Sequence, residues 1–356
     1  MIETPETQDN APRNVAPSGD WSDQFRSPPA PKLLFVTAFL RRNYNYIAAF
    51  LLAILAITAA NCVGDYLVKR EKETTLASVK VFANDLQNWI DQHVYFTRVM
   101  ASLPTFRNGS RADISLLLRK INAGQSLPDE ISRMAFVGLD GRSFHGADDT
   151  LDMSTRQVYL QIVRDKSREF IISNIYLDRV RDEQVFSVGV AVKDQNDNVK
   201  GALFVLIKTK VFTARALKAT LNRNARPLMI DENGVIFAYD YIDNTQDKIT
   251  LKNARQFGLK GLAAHSDEIL ESKTGGYFDY NGVDNVDRVL FYAPMLKTQG
   301  FIFGAGVDSS KIYAKKYISF AFAFGFIALS FVAAYILSRN TALPPIANGK
   351  NSQIST

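Results

Sequence analysis

The chain has 356 residues, of which 47% are hydrophobic and 22% charged, and its formal net charge is +6. The basic residues are scattered along the sequence, so composition does not favour a nucleic-acid partner, which needs a clustered basic face. The single cysteine, Cys62, excludes an intrachain disulfide, and three widely separated histidines give no metal-ligand spacing, so we expect neither a metal nor a cofactor.

The first apolar segment follows a polar, proline-rich beginning. Residues 1–31 contain six prolines and are expected to form a disordered cytoplasmic tail, because this composition cannot bury a core. Residues 47–63 then carry no charge. The length of this segment is at the lower end of the ~17–25 residues that cross a bilayer. We predict an uncleaved transmembrane helix over 45–64, since the sequence before it is too long for the charged start of a signal peptide.

The second apolar segment, residues 317–337, is also free of charge. A buried soluble helix of that length would carry a polar stripe, so we predict a second transmembrane helix, followed by a short cytoplasmic tail over 338–356. More basic residues precede the first span than closely follow it, and this small excess favours a cytoplasmic N-terminus. In a bacterium, the region between the spans of this inner (plasma) membrane protein would then be periplasmic or extracellular.

Between the spans, a helical pattern gives way to strands. Residues 66–100 place apolar side chains at steps of three and four, which predicts a long helix that packs on its own domain or pairs with a second copy. Two sets of alternating segments follow, each starting with a turn, at Asp140–Gly141 and at 231–234. Asp-Gly between strands predicts a hairpin with positive φ at both central residues. The predicted strands cover 133–145 (a hairpin), 170–176, 185–192, 202–207, 227–238, 276–280, 288–292 and 301–307.

These patterns predict an α+β fold with two transmembrane helices flanking the domain. A stalk helix with a first antiparallel sheet unit would cover 66–212, and a second sheet unit would cover 213–316. A helix near 211–221 would link the two units.

Four short segments between residues 153 and 207 occur in a distinctive order and spacing. They are STRQVYL (154–160), ISNIY (172–176), VFSVGVAV (185–192) and GAL (201–203). Their order and spacing resemble those of the double Cache domain, the PAS-like extracellular sensor of bacterial membrane receptors. The layout of a long helix, two sheet units and a second span is similar too. The resemblance implies that 66–212 form a membrane-distal, ligand-binding unit and 213–316 a membrane-proximal one.

The resemblance also implies a ligand site, because the distal unit of this family binds small molecules beside its Arg-x-x-Tyr segment. Carried onto this chain, the site consists of Arg156, Tyr159, Ser173, Asn174, Tyr176 and Asp178. Arg156 would offer a carboxylate a planar pair of donors, and Asp178 would accept an ammonium group. The alternative stays open that these residues form structural ion pairs and core contacts.

The sequence departs from the amino-acid-binding members of the family at three positions. Leu151, Val158 and Leu206 stand where those members carry Tyr, Trp and Asp. Because the acidic partner of an α-amino group is missing, we expect an organic acid or another anion rather than an amino acid. A pocket that binds no small molecule is the remaining alternative.

No sequence feature predicts an enzyme. The chain lacks a Gly-x-Ser-x-Gly segment and a phosphate-binding loop, and its histidines stand in no recognisable pattern with a nucleophile or an acidic residue. No output module fits after the second span, so we expect a receptor anchored in the lipid bilayer by its two spans, dimeric with a second copy of itself, that signals through a separate partner. The alternative is a membrane assembly or regulatory subunit whose Cache-like domain binds another protein.

Overall fold

The computed structural model describes residues 31–124, 127–146, 151–219, 225–238, 249–296, 298 and 300–340. The predicted tails therefore lie outside the described residues almost entirely, as does the end of the predicted linking helix. The chain divides into two compact units. The first consists of the segments up to Thr58 and from Ala323 onward, and the second of Ala59–Phe322.

The described part of the first unit is entirely helical. Helix α1 (Pro31–Ala101) begins in it, and helix α7 (Ser309–Asn340) ends in it. The buried side chains of its described residues are small: Ala49, Ala53, Ala323 and Ala334. Large apolar side chains are exposed instead, Phe50 to 59%, which is typical of a surface covered by lipid. Both helices are long and apolar enough to cross a membrane, and the predicted spans, 45–64 and 317–337, lie within them.

The second unit contains the rest of α1, which we call the stalk (residues 59–101). The apolar stripe predicted from the sequence faces the core of the domain. Its fully buried members include Val79, Leu86 and Ile90. Two further helices, α2 (Pro104–Asn108) and α3 (Arg111–Ala123), follow the stalk. Sequence analysis overlooked α3, although a capping box formed by Ser110 and Asp113 marks its start.

The first sheet is antiparallel and follows the stalk helices. Its strands, in chain order, are β1 (Ile131–Gly138), β2 (Arg142–Phe144), β3 (Leu151–Asp152), β4 (Phe170–Ile172), β5 (Tyr176–Asp178), β6 (Glu183–Lys193) and β7 (Val199–Lys208). Their spatial order is β3-β2-β1-β7-β6-β4, and β5 also pairs with β6. Between β3 and β4, a short helix α4 (Gln157–Tyr159) continues into a π-helical turn (Leu160–Arg164) that covers one face of the sheet.

Two details of the first sheet differ from the prediction. The predicted strand 170–176 is two strands, β4 and β5, because Ser173 interrupts the ladder and its hydroxyl oxygen accepts the backbone N–H of Ser187 at 2.8 Å. In the first hairpin turn only Gly141 has positive φ, at 74°, so the expectation for Asp140 is wrong. The Asp140 carboxylate instead accepts the backbone N–H two residues on, which supports a different turn.

Helix α5 (Thr209–Ala219) links the first sheet to the second. The second sheet contains β8 (Arg226–Ile230), β9 (Ile236–Ala238), β10 (Gly276–Asn281), β11 (Asp287–Pro294) and β12 (Ile302–Asp308), in the antiparallel order β10-β11-β12-β8-β9. Helix α6 (Ser266–Glu271) and two 3-10 turns, Ala254–Phe257 and Leu262–His265, lie between β9 and β10. The predicted α+β fold with two antiparallel sheet units is confirmed.

Each sheet has two covered faces. The stalk, α2, α3 and α5 pack on one face of both sheets and form a single continuous core. Aromatic rings join the two halves of this core, with Phe186 of the first sheet 5.6 Å from Phe212 of α5 and 5.9 Å from Phe301 beside the second sheet. The opposite face of the first sheet has its own, smaller core, and it is there that a cavity opens.

Candidate functional site

A cavity of about 590 Å³ lies on the face of the first sheet that is turned away from the stalk. Successive side chains of a strand point to opposite faces, so alternate residues of β1 and β7 reach the cavity. Ala135 and Val137 come from β1, and Phe204 and Leu206 come from β7. The residues between them, such as Met134, face the core beside the stalk. The wall formed by the sheet is therefore mostly apolar.

The charged part of that wall is an ion pair between Arg133 on β1 and Asp178 on β5. Arg133 Nε donates to Asp178 Oδ2 at 2.8 Å, and Nη2 donates to Oδ1 at 2.7 Å. Burial by itself would raise the pKa of Asp178, but the hydrogen bonds and charge of Arg133 outweigh it, so the pKa lies below its usual value. Asp178 is therefore an ionised carboxylate whose charge is already neutralised within the wall.

Arg156 also lines the cavity, on the segment that precedes α4. Its guanidinium carbon lies 5.9 Å from the centre of the Tyr176 ring, a cation–π contact. It is exposed and forms no ion pair with any residue in the described part of the chain. Burial raises the pKa of Tyr176, so its hydroxyl stays protonated and can donate a hydrogen bond. Arg156, beside the Tyr176 ring, can therefore donate hydrogen bonds to an anion.

Two further basic side chains border the same cavity. Arg179, directly after β5, is exposed and forms no ion pair with another residue of the described ranges, and His145 follows β2. Of the described residues that line the cavity, Asp178 is the one acid. Since Arg133 neutralises that acid, the lining carries a net positive charge from Arg156 and Arg179, which favours a negatively charged ligand.

The other predicted ligand residues lie elsewhere. Ser173 and Asn174 line a smaller cavity of about 320 Å³, which shares Arg156 and Tyr176 with the larger one. The Ser173 hydroxyl donates to the carbonyl oxygen of Asn174 at 2.8 Å. The Asn174 amide donates to Glu232 Oε1 at 2.9 Å, which links this wall to the first turn of the second sheet.

Tyr159 does not line either cavity. It is 7% exposed, packs in the core on this face of the sheet, and its hydroxyl donates to the carbonyl oxygen of Leu139 at 2.7 Å. This bond fixes α4 against the end of β1. Tyr159 therefore positions the segment that carries Arg156 rather than facing a ligand.

The positions at which the sequence departs from amino-acid-binding double Cache domains do line the cavities. Leu151 and Leu206 border the larger cavity, and Val158 borders the smaller one. All three contribute apolar surface. Arg133 was not among the predicted site residues, although one feature of the sequence indicates that it lines the cavity. It is the one charged residue within the apolar strand β1, at a position that alternation assigns to the same face as Ala135.

No group of three or more His, Cys, Asp or Glu side chains that could hold a metal ion occurs among the described residues. The residues that line the cavity can bind a ligand through hydrogen bonds, charge and apolar contact.

Comparisons with known proteins identify the fold. No protein-family model matches this chain, and no curated protein matches it. The ligand-binding domain of the Pseudomonas fluorescens chemoreceptor CtaA in complex with L-isoleucine is 14% identical, with a TM-score of 0.53 over 72% of this chain and 98% of that domain. The same domain in complex with L-leucine is 16% identical, with a TM-score of 0.52 over 71% and 99%.

The match covers almost the whole of the chemoreceptor domain. Identities this low establish the fold and nothing about the ligand. The region between the two apolar helices therefore has the fold of these chemoreceptor ligand-binding domains, in agreement with the layout that the resemblance to double Cache domains predicted.

Proposed function

We propose that this chain is a membrane-anchored receptor that binds a small anionic ligand outside the cytoplasm. The observation that carries the proposal is the cavity beside the first sheet. There, Arg156 forms no ion pair with a described residue, while Asp178 is already neutralised by Arg133. A carboxylate that enters can accept two hydrogen bonds from Arg156 without competing with an acidic side chain of the described wall.

The fold supports a sensory role. The similar domains of CtaA are ligand-binding domains of a chemoreceptor, solved with L-isoleucine and L-leucine. A cavity of about 590 Å³ falls within the ~300–1,000 Å³ range of small-molecule sites. Spans over 45–64 and 317–337 would hold the domain at the outer face of a bacterial inner membrane, with residues 66–212 forming the ligand-binding unit.

A homodimer is part of the proposal, and an uncharged face of the stalk supports it. Exposed residues without charge recur there at steps of three and four. They are Ala77, Val81, Asn84, Asn88, Gln92, Tyr95 and Val99. Val81 is 65% exposed and Tyr95 70%, which is unfavourable in water. Two copies anchored in one membrane can pair this face in parallel, and asparagines within such a seam fix its register.

The signal would leave the domain through its two helical connections. Within the second unit, the start of α7 lies against the stalk, where Lys315 pairs with Glu71 at 2.7 Å and Lys316 pairs with Asp65. A side chain at Gly64 would collide with Lys316, so the two helices are in close contact. A ligand that binds one arrangement of the domain more tightly would shift the equilibrium between two arrangements of these helices. The free energy of that shift cannot exceed the difference in the ligand's affinity for the two arrangements. A separate protein would receive that shift.

A ligand screen tests the receptor. The full chain in lipid nanodiscs is screened by thermal unfolding against organic acids, amino acids and amines, because a ligand that binds the folded state raises the unfolding temperature. We expect a shift with at least one acid, lost in Arg156→Gln. The matched control is Arg164→Gln, since Arg164 is an exposed arginine of the same sheet unit outside the cavity lining. A shift that survives Arg156→Gln would contradict the proposed site.

The second candidate function is that of an assembly or regulatory subunit. It is favoured by exposed apolar side chains near the cavity, with Leu139 61%, Leu177 53% and Val180 56% exposed. Such side chains are typical of a surface that binds a partner. If no compound in the screen shifts the unfolding temperature, cross-linking of a protein partner through these positions becomes the decisive measurement, and the receptor is abandoned.

A further inference from the structure

The lining of the larger cavity contains one closed ion pair, two accessible arginines (Arg156 and Arg179) and a broad apolar surface. In the ion pair, both carboxylate oxygens of Asp178 accept hydrogen bonds from Arg133, and Oδ1 also accepts the backbone N–H of Val180 at 3.2 Å. Arg133 and Asp178 thus form the planar pair with two parallel hydrogen bonds that arginine and carboxylate groups favour. No other carboxylate lines the cavity among the described residues.

An ammonium group would therefore be bound poorly there. It would find no free carboxylate in the described wall, and it would lie near the positive charges of Arg156 and Arg179. Taking an ammonium out of water without a partner is costly, and like charges add to that cost. The same arginines favour a carboxylate.

Apart from Ser143, His145 and Tyr176, the rest of the lining is apolar from its floor to its mouth. Phe204 and Leu206 form part of the buried floor. Leu151, Leu177 and Val180 also line the cavity, yet they are each more than half exposed, so they stand at its mouth. Large apolar side chains around an opening are stabilised when an apolar ligand covers them.

We propose that the ligand is an apolar monocarboxylate without an α-ammonium group. Its carboxylate binds Arg156, and its aliphatic or aromatic body lies along Phe204 and Leu206 and reaches the apolar mouth. This inference rests on the proposed receptor function and narrows it to one chemical class. It places the selectivity in the Arg133–Asp178 pair, which removes the acid that an amino acid would need.

Matched ligand pairs test the class. Binding of 4-methylpentanoate is compared with that of L-leucine, and binding of 3-phenylpropanoate with that of L-phenylalanine, since each pair differs only in the ammonium group. The protein is the full chain in lipid nanodiscs, so that no free detergent competes for an apolar cavity, and binding is measured by calorimetry. We expect the acid without the ammonium group to bind at least about tenfold more tightly. The amide 4-methylpentanamide should not bind measurably, because it lacks the charge.

A chain-length series and two variants test the placement of the ligand. From butanoate to octanoate, each added methylene should tighten binding about fourfold while the cavity still covers it. Leu177→Ser, at an exposed position of the mouth, should reduce this gain for the longer acids only. Arg156→Gln should abolish binding of every acid, whereas Arg164→Gln should leave it unchanged.

The outcomes separate the two proposals. Tighter or equal binding of L-leucine relative to 4-methylpentanoate, lost in Arg156→Gln, would overturn the ligand class and leave the receptor intact. Equal binding of butanoate and octanoate would overturn the apolar body of the ligand. Absence of binding by every acid and amino acid would overturn the receptor itself and this inference with it.

Discussion

The ion pair between Arg133 and Asp178 offers the sharpest test of the cavity as described. Asp178→Asn keeps the shape of the side chain and removes its charge. In the parent chain the side chain of Arg133 is 11% exposed and that of Asp178 is 2% exposed. The substitution therefore leaves the largely buried guanidinium of Arg133 without its counter-charge. The double variant Arg133→Met/Asp178→Leu removes both charges and replaces them with apolar side chains of similar size.

The expected effects follow from the cost of an uncompensated charge. Removing one partner of a buried pair costs about 3–5 kcal/mol, and we expect about 3 kcal/mol here because the asparagine still accepts one hydrogen bond. For a domain of this size, that loss lowers the unfolding midpoint by roughly 6–12 °C. The double variant should stay within about 1 kcal/mol of the parent, because neither charge is left unpaired.

Thermal unfolding of the full chain in nanodiscs, followed by tryptophan fluorescence at one scan rate, measures these differences. Trp89, on the stalk, is buried in the core of the domain and reports on its unfolding. Because the pKa of Asp178 is below its ordinary value of 3.8, its contribution is complete above about pH 4 and is lost as the pH falls further, so the measurement belongs at pH 7. Asp197→Asn, in an exposed pair with Lys193, is the control and should cost less than about 1 kcal/mol.

Two results would refute the reasoning. If Asp178→Asn costs no more than the Asp197→Asn control, the pair is not a buried, closed contact. If the double variant is destabilised as much as Asp178→Asn, the loss comes from packing rather than from an unpaired charge.

Three further changes test packing, pairing and an ion pair. Gly189→Ala should cost about 1–3 kcal/mol in thermal unfolding, because its methyl group would overlap an aromatic ring on β7, and an unchanged midpoint would contradict that contact. Val81→Arg should convert the dimer to a monomer in light scattering, whereas Leu116→Arg, an exposed position on α3, should not; a dimer in both would exclude the stalk face. Hydrogen bonds from Arg288 lower the pKa of Asp284 to about 2, so its stabilising effect is present above about pH 4 and lost towards pH 2. Asp284→Asn should therefore cost about 1 kcal/mol at pH 7, allowing for solvent exposure, and clearly less at pH 2, where the carboxyl group is partly protonated; an equal loss at both pH values would contradict this.

The order of helices and strands could be predicted because each is a local pattern. The stalk stripe has the period of a helix, and the strands of both sheets alternate or run apolar between turns. Prediction failed where side chains compete with the backbone. Ser173 interrupts the single strand predicted over 170–176, and Ser110 begins helix α3, which was not predicted.

The candidate site was predicted less completely than the fold. Arg156, Tyr176 and Asp178 do line one cavity, but Ser173 and Asn174 line its neighbour. A motif gives the residue types and their order along the chain, and it does not give the partner of each side chain. The assignment of each residue as a ligand contact stays a prediction.

By itself, the sequence determined two apolar segments, the strands between them and a resemblance to double Cache domains, because hydropathy and alternation depend on near neighbours. Only the tertiary structure decided what the charges in the cavity do. Arg133 and Asp178 are 45 positions apart, and pairing through β1, β7, β6 and β5 brings them within hydrogen-bond distance. That contact neutralises the acid expected to bind an ammonium and leaves Arg156 and Arg179, which form no ion pair with another described residue, to set the charge that the cavity prefers.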